Sequence, residues 1–173
     1  MSITSRLNRA FSQATVLPLT KCSRYVLVSD CHRGAGTSSD NFLKNQHLYY
    51  AALEHYYRGG FTYIELGDGE ELWENRKLRT ITEIHEDAYC LLARFEAQDR
   101  LHLLYGNHNI VQKRNPSYKE ALILRPESSP ENSLYLTHGH QASLLNSTLW
   151  PLARFLVRYL WNPLESLGFL DPT

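Results

Sequence analysis

The sequence predicts an α/β fold, a mainly parallel sheet covered by helices. Two observations predict it. Short, continuous apolar runs recur at residues 25–29, 61–66 and 101–105, and longer amphipathic stretches separate them. A strand buried on both faces reads as such a run. Strands alternating with helices imply a layered parallel sheet, joined by right-handed crossovers.

Residues 1–21 read as a polar, loosely ordered lead-in, and residues 22–173 as one domain. Tyr25-Val-Leu-Val-Ser29 is the first strand. Residues 39–57 read as a helix, with Phe42, Gln46, Tyr49, Leu53 and Tyr56 recurring at three or four. Arg58-Gly59-Gly60 stops it. Residues 61–66 form the second strand. Residues 78–95 form a second helix, striped by Ile81, Ile84, Ala88, Leu91 and Phe95. Residues 101–105 are the third strand. A short helix over 117–124 is expected after Pro116. Residues 134–137 are the fourth strand. Residues 148–169 are apolar and read as a helix in two pieces, divided near Asn162-Pro163.

Composition removes several function classes. The 173 residues carry 18 Lys+Arg against 18 Asp+Glu, so no global charge draws the chain to nucleic acid. The three cysteines, Cys22, Cys31 and Cys90, are too few and too scattered for a disulfide framework or a zinc ribbon. A reducing, cytoplasmic setting is the expectation. There is no apolar core of a signal peptide and no spanning run of about 18 apolar residues. The Asn146-Ser147-Thr148 sequon is read as chance. A nucleotide-binding module is disfavoured, because neither Gly-x-Gly-x-x-Gly nor a P-loop is present.

The residues just past each strand carry the chemistry. The strands run into Asp30-Cys31-His32, Gly67-Asp68-Gly69-Glu70-Glu71, Gly106-Asn107-His108-Asn109 and His138-Gly139-His140. Asp68 lies 38 residues after Asp30, Asn107 39 after Asp68, and His138 31 after Asn107. Each step has the length of one β-α-β unit. Ligands bind at the carboxyl ends of strands in open α/β sheets, so these residues should converge. Asp30 and His32 are two apart, which in an extended chain turns them to one side and Cys31 to the other. Carboxylate, imidazole and amide oxygen together suit Mn²⁺, Fe²⁺ or Zn²⁺.

Asp-x-His, Gly-Asp-x-x-Glu, Gly-Asn-His and a later histidine, over residues 25–140, resemble the calcineurin-like metallophosphoesterases. Glu71 and Trp73 are also similar to the branch that splits UDP-2,3-diacylglucosamine in lipid A synthesis. The resemblance implies a binuclear site with two divalent metals, Mn²⁺ foremost. Asp30 and His32 would bind the first ion, Asn107 and His138 the second, with Asp68 bridging them. His108 would be the catalytic residue, acting beside the leaving group as acid or transition-state stabiliser. The substrate implied is a phosphomonoester, phosphodiester or pyrophosphate.

Two departures stand out. The family pattern places an acid after Gly-Asn-His, and here that position is Asn109. The family also closes its site with Gly-His-x-His, which is absent; His138-Gly139-His140 follows the fourth strand directly and fits the earlier lone-histidine position. The expectation is therefore the N-terminal portion of a two-sheet sandwich lacking the strands of its second half, or a short chain in which His140 fills a vacancy. A non-catalytic binding or scaffold domain is the alternative. Residues 148–170, with Trp150, Phe155, Tyr159, Trp161, Phe169, Arg154 and Arg158, suit a core helix or a peripheral, lipid-contacting one.

Overall fold

The computed structural model describes residues 2–37, 40–143, 149–161 and 163. It is a mixed α/β structure with two sheets. Strands β2 (Tyr25–Val28), β3 (Thr62–Glu65), β4 (Leu101–Leu104) and β5 (Tyr118–Lys119) form a parallel sheet in that order. Strands β1 (Thr15–Leu19), β6 (Leu122–Pro126) and β7 (Leu134–Leu136) form a second sheet. There β1 runs parallel to β6 and β7 antiparallel to it.

The helices are α1 (Ile3–Ser12), α2 (Gln46–Arg58), α3 (Leu78–Ile84), α4 (Glu86–Glu96) and α5 (Trp150–Leu156). Leu53 of α2 and Leu92 and Phe95 of α4 bury against Tyr63 on one face of the parallel sheet. Ile64 and Leu104, on its other face, pack against Leu122 and Leu124 of the second sheet. Adjacent strand residues point to opposite faces, so neighbours Tyr63 and Ile64 serve two different cores. This is why the strands read as unbroken apolar runs.

The two expected β-α-β steps, β2-α2-β3 and β3-α3-α4-β4, are present and parallel. The 31-residue step from Asn107 to His138 is not one. The expected helix over 117–124 is instead strands β5 and β6. Residues 121–124 are all buried, and residues 122–126, paired with β1 on one edge and β7 on the other, satisfy their backbone groups as a central strand. The expected fourth parallel strand, β7, returns antiparallel in the other sheet.

The lead-in is ordered. Ser2 caps α1 by accepting from the Ser5 N–H at 3.2 Å, and Ala10 and Arg6 of α1 are buried. Leu17 and Leu19 of β1 pack into the core between the sheets. Pro18 is tolerated because β1 is an edge strand. A second sheet therefore exists in this chain, assembled from the lead-in, from β6 of the segment expected to be a helix, and from the expected fourth strand, β7.

Two further boundaries differ. The first helix begins as a 3₁₀ turn, Asn41–Lys44, before α2. The second breaks at His85, which leaves helical geometry to donate from Nε2 to buried Asp40 Oδ2 at 2.9 Å. After α5 the chain widens into a π-type turn, Val157–Trp161. The sequon, Asn162 of the expected division and residues 164–170 lie outside the described residues. No helix among the described residues is long and apolar enough to cross a membrane.

Candidate metal centre

Residues Asp30, His32, Asp68, Asn107 and His138 meet at one point beyond the strand ends. The loops are sewn together by backbone bonds that extend the parallel ladder. The N–H groups of Asp30, His32 and Arg33 donate to the carbonyls of Gly67, Asp68 and Gly69 at 3.1, 2.9 and 2.9 Å. Asp30, His32 and Asp68 all have left-handed backbones, with φ of 55, 47 and 51°. Such conformations cost about 1–3 kcal/mol each for non-glycine residues and gather at functional sites. They also correct the extended-chain expectation. Alternation along a strand does not set the directions of Asp30 and His32, and Cys31 lines the same cleft as they do.

Two glycines permit the approach. A Cβ on Gly106 would lie 2.1 Å from Asp68 Oδ1, and one on Gly67, where φ is 110°, would lie 2.7 Å from His138 Nδ1. No larger residue leaves the loops this close.

The hydrogen bonds set the imidazole tautomers. His138 Nδ1 donates to the Leu66 carbonyl at 3.1 Å. Its Nε2 then faces Asp68 Oδ2 and Asn107 Oδ1, each at 3.1 Å. His32 Nδ1 donates to Glu71 Oε2 at 2.8 Å, which leaves Nε2 facing Asp30 Oδ1 at 3.7 Å and Asp68 Oδ2 at 3.9 Å. Metal-binding histidines characteristically give their other N–H to a carbonyl or carboxylate in this way.

This arrangement fits a cation. A neutral imidazole that has spent its N–H on one side offers a lone pair on the other. Around Asp68 such lone pairs meet carboxylate and amide oxygens. A proton or a metal ion between them would be attracted from both sides. Burial works against charge on His138 and His32, yet Asp68 on one ring, and Glu71 with Asp68 and Asp30 on the other, raise both pKa values from the ordinary imidazole value. Burial pushes the Asp68 carboxyl up, but His138 and His108 hold it below its usual value. Ligand atoms of Asp30, Asp68 and His138 lie within 4.8 Å of one another, as do those of His32, Glu71 and His108.

His108 stands at the edge. Its backbone N–H donates to Asp68 Oδ1 at 2.8 Å, and Nδ1 donates to Glu71 Oε2 at 2.6 Å. Its ring stacks on Trp73, centroids 4.1 Å apart and 14° from parallel. The Trp73 indole N–H in turn donates to the Asn107 carbonyl at 2.6 Å. Glu71 thus carries two imidazoles on one oxygen. Burial would raise its carboxyl, but His108 and His32 outweigh that and hold it at about 2.

Asn109 does not touch this pair. It is buried, accepts from the Gly106 N–H at 2.7 Å and donates to Glu70 Oε2 at 2.8 Å. The residue that orients His108 is therefore Glu71, not the one after it. The signal was its place three residues beyond Asp68 in Gly-Asp-x-x-Glu. His140 is buried beside His138, with ring centroids 5.8 Å apart. Burial and then His138 push its pKa to about 4, so it stays neutral.

A charged layer lies below. Arg33 forms a two-pronged pair with Glu65 at 2.9 and 2.7 Å and reaches Glu70 at 3.3 Å, and all three residues are buried. The hydroxyl of Tyr63 donates to Glu65, and those of Tyr89 and Tyr118 to Glu70. Sequence reasoning missed this layer, since nothing in a lone Arg or Glu announces burial.

A cleft of about 970 Å³ opens from the donors. Phe42, Leu48, Trp73, Val157 and Trp161 give it apolar walls, and Asp30, His32 and His108 stand at its charged end. Comparison with protein-family models, with curated proteins and with solved structures gave no match.

Proposed function

We propose that the chain is a metal-dependent hydrolase of a phosphomonoester, phosphodiester or pyrophosphate bond, of the calcineurin-like metallophosphoesterase type. The observation that carries the reading is the set of imidazole lone pairs turned toward Asp68 and its neighbouring oxygens, a geometry that asks for cations. Asp30 and His32 would hold one divalent ion, Asn107 and His138 a second, and Asp68 would face both. Mn²⁺ is the ion proposed, with Fe²⁺ or Zn²⁺ as alternatives, since carboxylate and amide oxygens suit the first and imidazoles the others. When bound, the ions supply electrostatic stabilisation to a phosphoryl group.

The chain's own residues supply the rest. Glu71 accepts the Nδ1–H hydrogen bond of His108 and its charge favours the imidazolium. The Nε2–H of that imidazolium is the proton that would go to the leaving oxygen, leaving neutral imidazole with its hydrogen on Nδ1. Trp73, stacked on the imidazole, limits its tilt and excludes water from one face. The apolar cleft beside them would receive the non-phosphate part of the substrate, which favours an ester with a sizeable apolar group.

The test is metal content and turnover of the purified chain. Two Mn²⁺ per chain, with Mn²⁺-dependent hydrolysis of p-nitrophenyl phosphate or its bis ester, is the expected result. Stoichiometry at background, with no hydrolysis, would overturn it.

A further inference from the structure

We propose that Arg158 is a positioning residue for the proposed catalytic site, acting through Trp73. It lies in the turn after α5, 85 residues from Trp73 in sequence. Its guanidinium gathers three carbonyls of one loop: Nε donates to Trp73 O at 2.9 Å, and Nη2 donates to Leu72 O at 2.9 Å and Asn75 O at 3.0 Å. Glu71 holds the opposite side of this loop. Its Oε1 accepts from the Trp73 N–H at 3.0 Å, and its carbonyl accepts from Asn75 Nδ2 at 2.9 Å. The loop is thus clamped between an anion inside and a cation outside.

The clamp bears on the chemistry because of what the loop carries. Trp73 stacks on His108 and bonds to the carbonyl of Asn107, so a shift of Leu72–Asn75 moves both. A planar, multiply donating guanidinium can bind three carbonyls at once, and an ammonium cannot match that fork. Val157 and Trp161, on either side of Arg158, form a wall of the cleft. The same turn therefore shapes the cleft and sets the loop beneath it. The catalytic part of this inference rests on the function proposed above; the positioning part does not.

The experiment compares the full chain with Arg158→Ala, with Phe155→Ala as a control on α5 at an exposed site. Hydrogen exchange of the Trp73 indole N–H is followed by NMR, its signal assigned by loss in Trp73→Phe. Arg158→Ala should speed that exchange by ~10-fold or more, as local opening becomes easier, while Phe155→Ala leaves it unchanged. With Mn²⁺ and p-nitrophenyl phosphate, Arg158→Ala should lower kcat ~10–100-fold, the scale of a small misplacement, at unchanged metal stoichiometry. In a Trp73→Leu background the same change should cost nothing further. If Arg158→Ala does not fold, Arg158→Gln, which leaves fewer donors, carries the same comparisons. Unchanged indole exchange, or full additivity with Trp73→Leu, would overturn the proposal. A parent that binds no metal and cleaves nothing defeats the proposed function alone, and the exchange measurement then decides Arg158 by itself.

Discussion

Glu71 Oε2 accepts the Nδ1 proton of His108 at 2.6 Å and, on the same oxygen, that of His32 at 2.8 Å. One carboxylate therefore fixes the tautomer of a proposed metal ligand and orients the ring of the proposed acid. Glu71→Gln keeps the size but removes the charge, and its amide can offer only one oxygen. Metal affinity should fall ~10–100-fold, the usual cost of losing a ligand's hydrogen-bond partner. Isothermal titration with Mn²⁺ checks it; unchanged affinity would mean that Glu71 only shapes its turn.

Asp68 and His108 should separate metal binding from turnover. Asp68 faces both histidines, so Asp68→Ala should lower metal stoichiometry more than His32→Ala does. His108→Ala should keep its metal and lose ~10²–10⁴-fold in kcat, the worth of general acid help. Metal analysis beside steady-state kinetics reads both. Metal loss in His108→Ala equal to that in Asn107→Ala would make His108 a ligand instead.

Metal binding should weaken as pH falls. His32 and His138 hold their protons to higher pH than a free imidazole, and an incoming cation must displace them. Affinity should therefore rise with pH through the imidazole range and level off above the raised native values. In the metal-free chain the sign reverses for stability. The raised histidines stabilise the fold fully below their unfolded value of about 6.5, and that contribution fades as pH rises through their native values. Thermal melts in EDTA and in Mn²⁺ across pH should diverge most at the alkaline end.

The buried layer should be intolerant of charge changes. Arg33→Met strands Glu65 and Glu70, and breaking a buried pair from one side costs ~3–5 kcal/mol. Asn109→Asp would set a second carboxylate against Glu70, 2.8 Å from the present amide nitrogen. Both variants should shift the urea midpoint sharply downward, while Arg79→Ala, which breaks an exposed i,i+4 pair with Glu83, should barely move it.

Strands β2, β3 and β4 of the parallel sheet were legible because they are short apolar runs and the crossovers between them are amphipathic helices; β5, within the segment expected to be a helix, was not. Asp30, Asp68 and Asn107 were legible for the same reason: each follows a parallel strand, and parallel strands bring their carboxyl ends to one edge. His138 follows antiparallel β7 of the other sheet, so its arrival there was decided by tertiary structure. The sequence marked β7 as a strand, but tertiary structure alone decided the rest of the second sheet and that β7 belongs to it. Residues 122–126 carry no period that separates a buried strand from a buried helix, and residues 15–19 gain their order only by pairing with them. It alone gave His108 its carboxylate, because Glu71 reaches the imidazole across 37 residues of chain. It alone buried Arg33 with Glu65 and Glu70, since the low exposure that makes those charges interact is a property of the packed layers and not of any segment within them.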